Sequence, residues 1–169
     1  MWSQFPRILV IGVASLVLSA CGGGGGGGHK APPVPASITI VSGNAQTGVA
    51  GSALPAALSV SVKDASGRVV AGATVSWAVV AGGGSVTPAT STTDSSGLAT
   101  TNWTLGAALG ANRATATVAD ITAVTFEANA TAGATASVTV TSPTLTPYEG
   151  DIVPLTAVAR DQSGNVIPG

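Results

Sequence analysis

Apolar and polar side chains alternate one by one along short segments of this chain, and this period constrains the fold more than any other feature. In the clearest segment, Val75, Trp77 and Val79 alternate with small or hydroxyl side chains. Successive side chains of an extended strand point to opposite faces, so a period of two predicts half-buried antiparallel strands. The same pattern recurs in segments 37–41, 58–63, 99–105, 114–118 and 124–128.

Turn sequences separate these segments. Two of them have the form Asp-x-x-Gly, at 64–67 and 94–97, and the others lie at 71–72, 82–84 and 109–112. Abundant threonine and valine, in a chain with only 8% charged residues, favours strands over helices or disorder. Six or seven short strands within about 95 residues predict an all-β fold of the sandwich type.

Three aromatic side chains mark the predicted core. Trp77 lies in the middle of its strand and is expected at the centre, with Trp103 and Phe126 as neighbours. Many other inward positions are alanine, which buries little apolar area, so the predicted core is modest. The sequence holds a single cysteine, so no disulfide within the chain can join the two sheets.

Glycines and turn residues across this region follow the order of a known domain family. The motifs are Gln46-Thr47-Gly48, Gly51, Leu54-Pro55, Leu58-Ser59-Val60, Asp64-Ala65-Ser66-Gly67, Val70, Gly72, Val75-Ser76-Trp77, Gly83-Gly84-Ser85-Val86, Thr93-Asp94-Ser95-Ser96-Gly97-Leu98-Ala99, Trp103, Leu105, Gly106 and Gly110. Together they resemble the bacterial Ig-like domain of the invasin and intimin type (Big-1). The resemblance implies an immunoglobulin-like β-sandwich, which we assign to residues 37–132. Ala56-Ala57 departs from the family pattern, in which a second proline is common.

A second copy of the pattern begins after the predicted sandwich. The segment 64–72 recurs 97 residues later at 161–169, and residues 137–140 repeat the character of residues 37–40. Self-similarity at the spacing of one domain indicates a tandem array. We therefore interpret residues 136–169 as the truncated start of a second Ig-like repeat, in a fragment of a longer protein or a truncated reading frame. Two strands cannot bury a sandwich core, so this segment is expected to be partly ordered or to extend along the first domain.

The first 20 residues have the features of a signal peptide. Arg7 precedes an unbroken apolar or small stretch at 8–18. Eleven helical residues rise only about 16 Å, too short for a hydrocarbon core of about 30 Å. The sequence that follows resembles the bacterial lipobox, which implies cleavage and then lipidation of Cys21, with three preceding recognition residues, Leu18, Ser19 and Ala20. The alternatives are an uncleaved membrane anchor or a chance cysteine after an apolar run.

Residues 21–36 are predicted to be a flexible tether. Residues 22–28 are all glycine, and prolines stiffen the end of the segment. Two or three acyl chains hold a protein on a membrane where one does not, because each buried CH2 contributes roughly 0.8 kcal/mol. The sequence thus predicts a module attached to a membrane through N-terminal lipid. Glycine after Cys21 favours the outer membrane or cell surface, by analogy with Gram-negative lipoprotein sorting.

Few residues in this chain suit catalysis or metal binding. The single histidine, His29, falls in the tether, where no triad or metal site can be held rigidly. Asp64, Asp94 and Asp161 each begin an Asp-x-x-Gly turn, in which the side chain accepts bonds from N–H groups two or three residues on. The alternative is that loop carboxylates converge on Ca²⁺ between domains. We expect no metal, no cofactor and no enzymatic activity.

These features predict a lipid-anchored cell-envelope protein of Ig-like repeats, acting as a non-catalytic, adhesin-type stalk or spacer. Its expected partners are the membrane and a host-cell or surface protein or polysaccharide. Nucleic acid is not expected, because the net charge is −1 and no basic patch exists. The alternative is a periplasmic or surface accessory module attached to a carbohydrate-binding or catalytic domain, because a fold alone does not decide function.

Overall fold

The structure is a computed structural model that describes residues 32–143, 146 and 148–168. The predicted signal peptide, most of the predicted tether with His29, and the lipobox residues Leu18, Ser19, Ala20 and Cys21 lie outside these residues. Within them the chain forms β-strands and no helix. Accordingly, no helix of the described part is long and apolar enough to cross a membrane.

Nine strands form the first part of the fold. They are β1 (Ser37–Ser42), β2 (Gln46–Val49), β3 (Leu58–Lys63), β4 (Thr74–Ala81), β5 (Gly84–Thr87), β6 (Thr90–Thr92), β7 (Leu98–Leu105), β8 (Gly110–Thr117) and β9 (Val124–Thr131). One sheet has the order β1-β3-β7-β5, and the other has the order β2-β9-β8-β4-β6. Each connection from β1 to β8 passes from one sheet to the other, whereas β8 and β9 are neighbours in one sheet. This arrangement is an immunoglobulin-like β-sandwich, which confirms the predicted all-β fold class. We call β1–β9 the sandwich.

The core of the sandwich lies between the two sheets, where alternate side chains of each strand meet. Trp103 and Phe126 are fully buried, and Trp77 is 4% exposed. The rings of Trp77 and Phe126 lie 5.9 Å apart between centroids, tilted by 47°, a favourable aromatic geometry. Trp77 Nε1 donates to Ser91 Oγ at 2.8 Å. Trp103 Nε1 has no hydrogen-bond partner among the described residues.

Three short strands were missed by the sequence pattern. β2, β5 and β6 have only three or four residues, too few for alternation to show. β2 runs parallel to β9, with Gln46 opposite Ala128, a pairing that no local signal reports. The expected turn at 109–112 is also partly wrong, because Gly110 already begins β8. Residues 110–112 pair with β9, and the Asn112 side chain is buried beside Gly106.

The triple glycine at 82–84, which was expected to separate two strands, forms the connection from one sheet to the other. β4 ends in one sheet at Ala81, and β5 begins in the other at Gly84. All three glycines have φ between 75° and 88°, the left-handed region that side chains disfavour. A Cβ atom at Gly84 would also overlap the backbone of Thr104 and Leu105. Only glycine therefore fits the crossing at position 84.

Residues after the sandwich form a separate two-stranded sheet, which we call the C-terminal hairpin. It pairs β10 (Thr135–Thr141) with β11 (Thr156–Asp161) in antiparallel orientation. Its register repeats that of β1 and β3, since Ser37 pairs with Lys63 and Ser137 with Arg160. Val138 is 60% exposed, whereas Ile38 at the equivalent place is 7% exposed. Among the described residues, none of the buried apolar side chains belongs to the hairpin.

Replacing Trp77 by alanine is expected to destabilise the sandwich by about 3–5 kcal/mol, because the cavity left beside Phe126 is added to the lost transfer free energy. Urea unfolding of the full chain measures the change. Val80→Ala is the control, since Val80 lies on the same strand but is 57% exposed, and it should change stability by less than about 0.5 kcal/mol. Equal effects of the two variants would contradict this core assignment.

Replacing Gly84 by alanine is expected to cost more than replacing Gly72, although both have a positive φ. Each variant carries the left-handed penalty of about 1–2 kcal/mol. Gly84→Ala adds the overlap with backbone atoms, whereas a Cβ at Gly72 meets nothing within 4 Å. Thermal unfolding of both variants tests this order, and similar losses of melting temperature would disprove the tight crossing.

Candidate functional site at the junction of sandwich and hairpin

The three Asp-x-x-Gly turns share one geometry. In each, the aspartate Oδ1 accepts two backbone N–H bonds of 2.8–3.0 Å, from the residues two and four positions on. The glycine N–H donates to the aspartate carbonyl oxygen at 2.9–3.0 Å. The prediction of side-chain bonding at this position is therefore confirmed, but the second donor is four residues on rather than three.

The Asp161 turn also binds the segment that joins the sandwich to the hairpin. Its second carboxylate oxygen, Oδ2, accepts the Gly133 N–H at 3.0 Å and Asn165 Nδ2 at 3.2 Å. Asp161 is 5% exposed, so this carboxylate lies at a closed contact rather than on a free surface. The turn thus links the segment just before β10 to the end of β11.

Two further side chains of this turn reach the sandwich itself. Asn165 Nδ2 donates to the Ala107 carbonyl oxygen at 2.9 Å, and Ser163 Oγ lies 3.5 Å from the Ala50 carbonyl oxygen. Ala50 and Ala107 belong to loops at the same end of the sandwich, which are joined because Gly51 N–H donates to the Gly106 carbonyl at 2.8 Å. We call these contacts and the Asp161 bond to Gly133 the junction.

The junction favours the ionised form of Asp161. The Gly133 N–H bond holds the pKa of Asp161 below its ordinary value. Burial acts in the opposite direction, and the bonds from Asn165 and Ser163 add to the lowering. Because the ionised carboxylate accepts all of these donors, the docked hairpin and the charged state of Asp161 stabilise each other.

The polar groups of the junction make hydrogen bonds that hold the fold together. A cleft of about 670 Å³ runs beside it, lined by Val49, Ala50, Gly51, Ser52, Gly133, Ala134, Thr135, Ala136, Asp161, Gln162 and Ser163. Both Asp161 oxygens already accept N–H donors, which favours turn chemistry over Ca²⁺ coordination. In the described part of the chain, no three His, Cys, Asp or Glu side chains gather at a metal-binding distance.

The junction was missed by sequence reasoning, which named Trp77, Trp103 and Phe126 as structural residues of the core. Those three side chains lie inside the sandwich, and the lipobox lies outside the described residues. Only Asp161 had been singled out, and then for its own turn. A useful signal was present, because the segment 161–169 repeats the segment 64–72 and so marks this turn as part of a second copy.

Solved structures of other proteins are similar to this chain. The chain is similar to the Escherichia coli adhesin FdeC, with a TM-score of 0.50, 22% identity, and coverage of 76% of this chain and 41% of that one. It is also similar to the D0-D1 domain of intimin (TM-score 0.48, 18% identity, 75% and 65% covered) and to domains 4-9 of the surface layer protein SbsC (0.46, 20%, 80% and 21%). No protein-family model matches this sequence, and no curated protein matches it significantly.

The match to FdeC confirms the resemblance to bacterial Ig-like domains at the level of the fold. This chain spans less than half of the FdeC chain that it matches. At 22% identity the match establishes the immunoglobulin-like fold and leaves function to the residues of this chain.

Acid is expected to loosen the junction. The pKa of Asp161 is lowered in the folded chain, so its stabilising effect is present above the unfolded value of about 3.9 and is lost as pH falls through the folded value. The Gly133 amide shift, followed by NMR in the full chain, should therefore titrate below pH 4 and stay constant between pH 5 and 8. Asp161→Asn should abolish this titration, whereas Asp94→Asn, in a turn away from the junction, should preserve it. A Gly133 titration above pH 4 would contradict the assignment.

Proposed function

We propose that this chain is a lipid-anchored protein of the bacterial cell envelope whose Ig-like repeats act as a non-catalytic stalk or spacer of the adhesin type. The junction carries the proposal. A stalk requires consecutive units in a defined orientation, and the Asp161 turn binds both the connecting segment at Gly133 and the sandwich loop at Ala107.

The repeated strand register supports the same function. β10 and β11 pair as β1 and β3 do, and Ile167 N–H donates to Ala159 as Val70 N–H donates to Val62. Two copies of one unit joined end to end form an extended array rather than a single rounded body. FdeC, which has this fold, is an adhesin, and a role at the cell surface agrees with the proposal.

The anchoring part of the proposal rests on the N-terminal sequence. A positive residue, an apolar stretch of signal-peptide length and the lipobox ending at Cys21 occur in the required order. Acid–base or nucleophilic catalysis would need titratable groups that converge on one site. The carboxylates of the three Asp-x-x-Gly turns instead accept hydrogen bonds within those turns.

Expression of the full chain in a Gram-negative host with an alkyne-labelled fatty acid tests the anchor. The chain should incorporate the label and fractionate with the outer membrane, and Cys21→Ser should lose both, because serine lacks the thiol that takes the lipid. Ser19→Ala is the matched control, since it keeps a small residue within the lipobox and should behave as the native chain. Labelling that persists in Cys21→Ser would reject lipidation at this residue.

Antibody binding to intact cells tests the surface role. Antibodies against the sandwich should bind cells that express the native chain without permeabilisation. Binding only after permeabilisation would place the chain in the periplasm and contradict the surface stalk.

A further inference from the structure

The two copies of the strand pair allow their ends to be compared residue by residue. Ser37 and Ser137 occupy the same place in the register of β1 and β10. Counting back four residues from each, Pro33 in the first copy corresponds to Gly133 in the second. Counting on from the two turn aspartates, Arg68 corresponds to Asn165.

The first turn is closed on itself. Asp64 Oδ2 accepts Arg68 Nε at 2.6 Å and lies 2.5 Å from the second guanidinium nitrogen of the same residue. Pro33 has no N–H, so it cannot supply the bond that Gly133 supplies in the second copy. Burial raises the pKa of Asp64, but the bonds and charge of Arg68, with the Ser66 N–H, outweigh it and lower the pKa overall.

The second turn is open to the preceding unit. The equivalent oxygen, Asp161 Oδ2, accepts the Gly133 N–H and one amide hydrogen of Asn165, while Asn165 Nδ2 also donates to Ala107 on the sandwich. An asparagine side chain is too short to enclose the carboxylate as arginine does, and it carries no positive charge. It bridges the carboxylate and the preceding unit instead.

We propose that, in the two equivalent Asp-x-x-Gly turns that begin at Asp64 and Asp161, the residue after the turn glycine determines the partner of the turn. Asparagine docks the turn on a preceding repeat, and arginine closes the turn on itself. The docking surface is the end of the sandwich formed by Ala50, Gly51 and Ala107. The partner that fits it is an Asp-x-x-Gly-Asn turn that follows the first paired strands of the next repeat, as the Asp161 turn follows β10 and β11. Arg68 accordingly makes the sandwich an end repeat, whose Asp64 turn does not receive another domain.

This inference rests on the stacking of repeats in the proposed function, and it is independent of lipid anchoring and of surface display. Its test therefore measures the junction directly. Hydrogen exchange of the Gly133 amide, resolved by NMR in the full chain, reports whether that N–H is bound to Asp161.

Asn165→Arg is expected to reduce the protection of the Gly133 amide by about tenfold or more, because the guanidinium takes the carboxylate oxygen that Gly133 uses. Asn165→Ala removes the bond to Ala107 without adding a competitor for the carboxylate. Its loss of Gly133 protection should therefore be several-fold smaller than the loss in Asn165→Arg. Arg68→Asn, the reciprocal variant, should leave Gly133 protection within about twofold of the native chain.

Protection of the Trp103 amide, in the centre of the sandwich, is the control for folding in every variant. With that protection retained, unchanged exchange of Gly133 in Asn165→Arg would overturn the proposal. Equal losses in Asn165→Arg and Asn165→Ala would also overturn it, because the arginine would then act only by removing asparagine. Should Asn165→Arg fail to fold, a rise of Gly133 exchange in Asn165→Ala with no change in Arg68→Asn would support the docking role, and no rise would reject it.

Discussion

Contact between the two sheets depends on three large aromatic side chains packed among valine, leucine and alanine side chains. Trp103 from one sheet and Trp77 and Phe126 from the other fill the interior, while Ala114, Ala116 and Ala128 occupy neighbouring inward positions with little area of their own. Without a disulfide, this packing holds the sheets together. The loops at the end of the sandwich are positioned by those sheets, and the junction is built on those loops.

Aspartate turns give the fold its second level of order. A carboxylate that accepts two backbone N–H groups fixes a five-residue turn, which satisfies polar groups that a short connection would leave unpaired. Oδ1 performs this task in all three turns. Oδ2 takes a further partner in two of the turns. At Asp64 this partner is Arg68 of the same turn, and at Asp161 it is the N–H of Gly133, which precedes the hairpin.

The sequence predicted the strands in which apolar and polar residues alternate over five or more positions, because burial of one face of a strand requires an apolar residue at every second position. It missed β2, β5 and β6, whose positions depend on pairing with strands distant in the chain. The junction escaped for a similar reason. The bond from Gly133 to Asp161 joins a backbone donor with no side-chain signature to a residue 28 positions away. The sequence repeat aligns Asn165 with Arg68, but it does not show which atoms either side chain contacts.

The fluorescence of the two buried tryptophans depends on the packing around each of them. Trp103 Nε1 has no hydrogen-bond partner among the described residues, whereas Trp77 Nε1 is bound to Ser91. An indole in apolar surroundings without a hydrogen bond fluoresces at shorter wavelength than one that donates to a polar group. Trp2 lies in the predicted signal peptide, so removal of that peptide leaves these two emitters. The blue edge of the emission then reports the centre of the sandwich, and the red edge reports the Trp77 end near Ser91, without any added label.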